Sequence, residues 1–482
     1  MHLDRPAELN GADGRLLRLA ECAGRPAREV GRKAAVLGWA DTQGLQTPGG
    51  LVLTSGAFWD ALEAGNVAGQ ARYLAESAVR LDPQHTLDIA ASLHAALGAP
   101  AVAAQARVIA ETAFATVDAA TIVCRSSAAM EDGKSASFPG VFVSILGLRS
   151  ADALAAALVA CWRSAFAPTA MRYLLRMGVE PIDVSLAALI QPQVAAAWYG
   201  LYVSADPLSG CAGGQVELTD AGPEALVHGA SATLAARHRD GRWTSENPRL
   251  AEFIPAIDRI SAAAAQFAAH LDAEVDIEFA LPHGGAEPII LQARPLSRTP
   301  RTASAAIDAS REGRVLRGRG CAAGRVSGRL APLSETEPDA SRIAVVKTLT
   351  PQDYAVVFDH AGVVMTDDTS PLGHVAILCR ELGVPLVSGV PNATDLIGRW
   401  ALIDGQTGEV QPIRAPERPQ PPSPAAEDCR ILTVTDLELW LQTLVEGRAG
   451  IDPKVEADRI ARRAARRLGA KAIRQIAVPR LE

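Results

Sequence analysis

Apolar positions along this chain change their period several times, and each change marks an element. Val375 to Leu382 (VAILCREL) has helical spacing directly after Ser370-Pro371-Leu372-Gly373, a run that makes a tight turn. A helix is therefore predicted with His374 at its mouth. Ahead of it IAVVK reads as a strand leading into a Thr-Pro turn, and after it ALIDGQTGEV reads as a strand, an Asp-Gly turn and a closing strand. Nearer the amino terminus, β-branched TIVC opens a strand that runs into Arg125-Ser126-Ser127, then a Ser-Phe-Pro-Gly turn and another strand. CWRSAFAPTAMRYLLRMG reads as a helix, followed by paired apolar strands in SLAALIQPQV and GLYVSADP. VDIEFALPHGGAEPIILQARPLSR holds two strand-like runs joined by His283-Gly284-Gly285. Alternation with a period of two puts Asp276 and Glu278 on one face of the first run, and Gln292 and Arg294 on one face of the returning run.

Two stretches lack periodicity and read as linkers. Residues 299–314 hold Pro300 and alternating Thr, Ser and Ala, and residues 414–428 contain PERPQPPSPAAED, an extended and semi-rigid spacer. Beyond the spacer, two runs of helical spacing follow in 429–482. The second carries Arg459, Arg462, Arg463, Arg466 and Arg467 along one side, either as a solvated face or as a docking surface. With 482 residues the chain can hold two or three domains, each large enough for a core. A net charge of −7 argues against a general nucleic-acid binder. Seven scattered cysteines show no metal-ligand spacing and resemble reduced thiols. No secretory leader is visible at the amino terminus, and no apolar run approaches the length of a membrane span, so a soluble cytoplasmic protein is expected.

Two places carry chemistry. An imidazole at a helix N-terminus sits where free backbone N–H groups and the positive end of the helix dipole would favour a phosphate on the ring. The plain alternative is a histidine that caps a helix. If the two strand runs around His283 pair in register, two carboxylates, an amide and a guanidinium converge; hard oxygens of this kind suit magnesium shared with a triphosphate. An ordinary surface hairpin with a salt bridge is the alternative there.

These segments resemble the phosphoenolpyruvate synthase and pyruvate phosphate dikinase-like family of PEP-utilising enzymes, which includes rifampin phosphotransferase and the glucan dikinases. TDDTSPLGHVAILCRELGVPLVSG is similar to the family's phosphohistidine segment, GRGCAAGRVSGR to the glycine-rich start of that mobile domain, and GRKAAVLGWADTQGLQTPGG to the first motif of its ATP-grasp domain. TIVCRSSAAMEDGKSASFPG, CWRSAFAPTAMRYLLRMG followed by SLAALIQPQV and GLYVSADP, and DIEF followed by LQARP are further matches. The resemblance implies an α/β protein with α+β lobes. An ATP-grasp nucleotide-binding domain would span 1–298 and a swivelling phosphohistidine domain 315–413, with a short helical tail at 429–482. It further implies His374 as the phosphorylated residue. Lys33, Arg125, Gln191, Gln292 and Arg294 would lie at ATP, and Mg²⁺ would be held by Glu278, Asp276 and Gln292. In the related enzymes the β-phosphate passes to histidine while AMP and orthophosphate leave. One departure stands out: Gly373 precedes the histidine where many members have Ser, Thr or Cys.

The family's pyruvate-binding barrel and the drug-binding insertion of rifampin phosphotransferase are not recognisable in the sequence. The expected activity is ATP-dependent phosphotransfer through phosphohistidine to an unidentified small-molecule acceptor. The alternatives are a subunit of a split dikinase complex resembling phenylphosphate synthase, with a partner subunit supplying the acceptor site, and a non-catalytic nucleotide-binding regulator. Neither a nucleic acid nor a membrane is expected as a partner.

Overall fold

A computed structural model describes residues 14–415 except 78–81, 134–136, 139, 178–184, 228–233, 240, 284–286, 297–312, 334–338, 351–352 and 358–359. The Pro-rich spacer, the arginine-striped tail helix and nearly all of the 299–314 linker lie outside the described residues.

Three sheets organise the described chain. The first is antiparallel, with strands in the order Leu16–Arg18, Leu51–Leu53, Leu186–Pro192, Ile122–Ala128 and Ser144–Leu148. Its outer side is covered by helices such as Ser55–Ala64, Pro100–Val117 and Ala151–Ser164, whose Ala, Leu and Phe side chains fill one core cluster. The second is an antiparallel sheet in the order Ile289–Pro295, Val275–Leu281, Trp198–Ala205, Ala212–Thr219, Leu234–Arg239 and Arg242–Thr244. Helix Leu250–Leu271 lays Phe253, Ile257, Ile260 and Phe267 against Ile277, Phe279, Val216 and Leu218 on one face of that sheet. Apolar residues at alternate positions thus bury one face, and the opposite face is left to carry chemistry.

Helix Ala27–Thr42 packs between these two sheets, touching Ile122–Ala128, Leu186–Pro192 and Ile289–Pro295. It can lie that close because it breaks at Gly31, whose φ is +74°; a Cβ there would stand 1.9 Å from the Ser127 carbonyl oxygen.

The third sheet has eight strands, with a parallel centre of Arg325–Pro332, Asp339–Val346, His360–Met365 and Leu386–Ser388. Helix His374–Leu382 crosses over between the last two of these parallel strands, and Gly383 ends it in the left-handed region at φ +66°. The Asp-Gly turn after Asp404 joins Trp400–Asp404 to Glu409–Ile413, as the alternating pattern predicts.

One expectation needs correction. Ala151–Met177 is long enough and apolar enough, with a mean hydropathy of 1.3, to match a membrane span by composition. It is broken into two helices at Ala165–Ala167, where Pro168 begins the second, and Leu154, Leu158, Trp162, Met171 and Leu174 are buried in the first core. The same break divides the single helix expected over CWRSAFAPTAMRYLLRMG.

Candidate active site

The hairpin of the second sheet forms in the register that alternation requires: Asp276 lies opposite Arg294, and Glu278 opposite Gln292, with a bulge after Glu278. Val275, Ile277 and Phe279 point into the core under helix Leu250–Leu271, which leaves the polar set on the open face. That face meets the first sheet across a cavity of about 560 Å³, and Lys33, Arg125, Gln191, Glu278, Gln292, Arg294 and His374 all line it.

Buried pairing fixes most of these side chains. Arg125 donates through Nη1 to the Leu291 carbonyl at 2.6 Å and through Nη2 to Gln292 Oε1 at 2.6 Å, and Nη2 lies 3.6 Å from Glu278 Oε2. The Gln292 amide then donates to both oxygens of Asp132 at 3.1 Å. Arg294 donates from Nε to Asp276 Oδ2 at 3.0 Å; its Nη2 also stands 2.9 Å from that oxygen but out of line for a hydrogen bond. Lys33 is ion-paired with Glu131, and Gln191 donates to the Gly49 carbonyl at 2.8 Å. Asp276 does not line the cavity. It stands behind Arg294, and its Oδ1 finds no hydrogen-bond partner among the described residues.

Glu131 and Asp132 are site residues that sequence reasoning missed. Both are buried, directly after the strand that carries Arg125, and Asp132 holds φ +55°, a conformation a non-glycine residue adopts at a local cost. The available signal was the Glu-Asp-Gly run following a β-branched strand. Burial pushes the Asp132 carboxyl up to about 6, against the pull of Lys33, with Glu131 adding to the rise. Burial also raises Asp276, with Arg294 opposing. Arg294 stays firmly charged: burial works against it, and Asp276, Asp132 and Glu278 outweigh that effect.

Four carboxylates (Glu131, Asp132, Asp276, Glu278) face three cations (Lys33, Arg125, Arg294), so the cluster carries one formal negative charge in excess. Together with the orphaned Asp276 oxygen, that donor set fits a hard divalent cation. Among the described residues, no group of three His, Cys, Asp or Glu side chains is arranged to hold a metal ion by itself.

His374 reaches this cavity from the third sheet. It is the first residue of helix His374–Leu382, with Gly373 as its N-cap, and a methyl group on Gly140 would come within 3.0 Å of its Nδ1. Several contacts among the described residues hold the histidine-bearing element there, and apolar packing of Val375 and Tyr354 in the first core is one of them. Leu372 packs on Leu201 and Val203, and Ser370 donates to Glu217. Glu381, on the same helix, accepts from the Ser137 amide at 3.1 Å, from Ser137 Oγ at 2.5 Å and from the Tyr173 hydroxyl. Beside Gly373, the hydroxyl of Ser370 is committed to Glu217 and to the Leu372 amide.

An α/β nucleotide-binding domain of the ATP-grasp class, joined to a smaller domain that offers one histidine to its cleft, is the class of protein that fold and cavity define. Comparison with known proteins agrees: residues 27–233 match the pyruvate phosphate dikinase AMP/ATP-binding domain, and residues 338–408 match the mobile domain of PEP-utilising enzymes. The chain belongs to the phosphoenolpyruvate synthase and pyruvate phosphate dikinase-like family. It is 26% identical over 356 residues to a probable phosphoenolpyruvate synthase of Archaeoglobus fulgidus, covering 66% of this chain and 47% of that protein. It is 25% identical over 331 residues to the phosphoenolpyruvate synthase of Pyrococcus furiosus, covering 60% and 40%. Its similarity to the rifampicin phosphotransferase of a Streptomyces species is 28% over 304 residues, covering 56% and 34%. The chain thus spans less than half the length of these relatives.

Proposed function

We propose that this chain is an ATP-dependent phosphotransferase in which His374 carries the phosphoryl group between two half-reactions. One observation supports this above the others: His374 lines the same cavity as Lys33, Arg125, Arg294 and Glu278, side chains suited to polyphosphate and its counter-ion. Lys33 and Arg294 are paired with carboxylates, so an arriving triphosphate would take over cations that Glu131 and Asp276 hold, releasing those oxygens toward metal. Glu278, which lines the cavity, would hold Mg²⁺, which neutralises phosphate charge when bound; Asp276 and Gln292, expected beside it, are engaged by Arg294 and Arg125 in the arrangement described. His374 attacks as a neutral imidazole at the β-phosphate, leaving AMP and, after hydrolysis of the γ-group, orthophosphate. The N–P bond stores the group for a small-molecule acceptor.

Incubation with Mg·ATP labelled at the β-position should therefore place an acid-labile, base-stable label on the protein, because a phosphoramidate hydrolyses readily in acid. His374→Ala should abolish it. Persistence of the same label in that variant would sink the assignment.

A further inference from the structure

The open face of the six-stranded sheet continues past the histidine-bearing turn. One row of side chains across it reads Gln292, Glu278, Leu201, Glu217 and Ala235, and the next reads Arg294, Asp276, Val203, Gln215 and Arg237. Leu372 sits on Leu201 and Val203, in the middle of both rows. The turn therefore divides one sheet face in two. On its far side lies a second cavity of about 760 Å³, lined by Gln215, Glu217, Arg237 and Arg239 from the sheet and by Arg319 and Pro371 from the histidine domain.

We infer that this second cavity binds the phosphoryl acceptor, and that the acceptor is a small hydroxycarboxylate; the inference rests on the phosphohistidine reading above. The charge inventory selects the class. Arg319 is engaged by Asp368 at 3.0 Å, and Asp206 at the rim accepts from the amides of Leu208 and Ser209. Arg237 and Arg239 form no ion pair with a carboxylate within 4 Å among the described residues, so two guanidinium forks remain for an anion, with Glu217 and Glu246 as the other charged groups of the wall. Two arginines suit a carboxylate, and a hydroxyl on the same molecule would then lie toward Glu217. Burial raises the Glu217 carboxyl, which makes it a better proton acceptor; Ser370, Arg319 and Arg237 pull the other way.

The distance is short enough for transfer. Neighbouring strands lie about 4.8 Å apart, so Glu217 is roughly 10 Å along the row from Glu278. Moving the turn off Leu201 carries His374 toward the second cavity and breaks the Ser370 hydrogen bond to Glu217, which frees that carboxylate. The acceptor hydroxyl oxygen then attacks phosphorus. The O–P bond forms, the N–P bond breaks with its electron pair returning to the His374 ring, and the hydroxyl proton passes to Glu217.

Titration calorimetry with glycerate, lactate and malate, and with glycerol as an uncharged control, tests the site without any phosphorylation. At least one of the three acids should bind the full chain, glycerol should not, and Arg237→Ala/Arg239→Ala should weaken binding at least tenfold. Both arginines are exposed, so an unchanged melting temperature and unchanged His374 labelling should accompany that loss. The acid that binds should discharge labelled His374, and Glu217→Gln should slow discharge at least tenfold with binding retained. Absence of binding by all three acids, or equal binding by the double variant, overturns the inference. Failure of wild type to label at His374 counts instead against the phosphohistidine reading, while calorimetry still decides what the cavity holds.

Discussion

Arg125 Nη2 donates to Gln292 Oε1 over 2.6 Å, and that contact joins strand Ile122–Ala128 of one sheet to strand Ile289–Pro295 of the other across the cavity floor. The second arm of the same guanidinium donates to the Leu291 carbonyl. A lysine could satisfy one of these acceptors and could not hold both in a plane. Arg125→Lys should therefore weaken binding of a non-hydrolysable ATP analogue about tenfold, equivalent to about 1.4 kcal/mol. Calorimetry decides it: an unchanged Kd would make Arg125 a strut between sheets and nothing more.

The kink at Gly31 should be equally intolerant. Alanine there must take φ +74° and place its methyl group 1.9 Å from the Ser127 carbonyl oxygen, which is backbone and cannot rotate away. With ψ at 162° that backbone conformation belongs almost to glycine alone and costs alanine about 1–3 kcal/mol, and the clash adds to it by displacing the helix that carries Lys33. Gly31→Ala should lower the denaturant midpoint and weaken nucleotide binding together. If stability falls with affinity untouched, the helix has relaxed without moving Lys33.

Asp132 makes the pH dependence specific. Burial lifts its carboxyl from the ordinary 3.8 to about 6, so between those values the folded chain holds the proton more tightly than the unfolded chain does. Stability contributed by this group is then present at the acid end, falls as pH rises through about 4 to 6, and is gone above that window. Two pKa units correspond to at most about 3 kcal/mol. Replacing the carboxylate by an amide removes this dependence, so the melting temperature of Asp132→Asn relative to wild type should climb with pH over that range. A difference that stays flat from pH 4 to 7 would show that Asp132 does not titrate there.

Local pattern made part of this site legible. The period of two in VDIEF and ILQAR dictated both the face and the register of Asp276, Glu278, Gln292 and Arg294, because one sheet face had to be buried. The Ser-Pro-Leu-Gly turn announced a helix at His374. Alternation names a face, however, and says nothing of depth: Asp276 shares a face with Glu278 and yet lies behind Arg294, off the cavity. Glu131 was illegible for a different reason. Its partner Lys33 is 98 residues away, and the pair exists because Gly31 lets one helix settle on one strand. Composition over Ala151–Met177 likewise could not reveal that the run is cut at Pro168 and buried against Leu62, Ala106 and Phe58.

Glu381 links the position of the histidine domain to the wall of the ATP cavity. It lies on the helix of His374, and it accepts from Ser137 and Tyr173 of the nucleotide-binding domain. Ser137 belongs to the loop that also contributes Glu131, Phe138 and Gly140 to the cavity. Burial and the Glu381 charge both raise the Tyr173 hydroxyl, so that group remains a donor throughout the physiological range. Hydrogen bonds to a charged acceptor contribute about 1.5–3 kcal/mol each. Removing the charge with Glu381→Gln should disfavour the docked arrangement and slow labelling of His374 at saturating ATP by about tenfold or more. Affinity for nucleotide, which needs only the two sheets and the Lys33 helix, should stay within about twofold. Tyr173→Phe removes one of three donors found among the described residues and should give a smaller effect in the same direction. A variant that labels at the wild-type rate would show that the remaining contacts, among them Leu372 on Leu201 and Val203, Ser370 on Glu217 and the packing of Val375 and Tyr354 in the first core, suffice to seat the histidine.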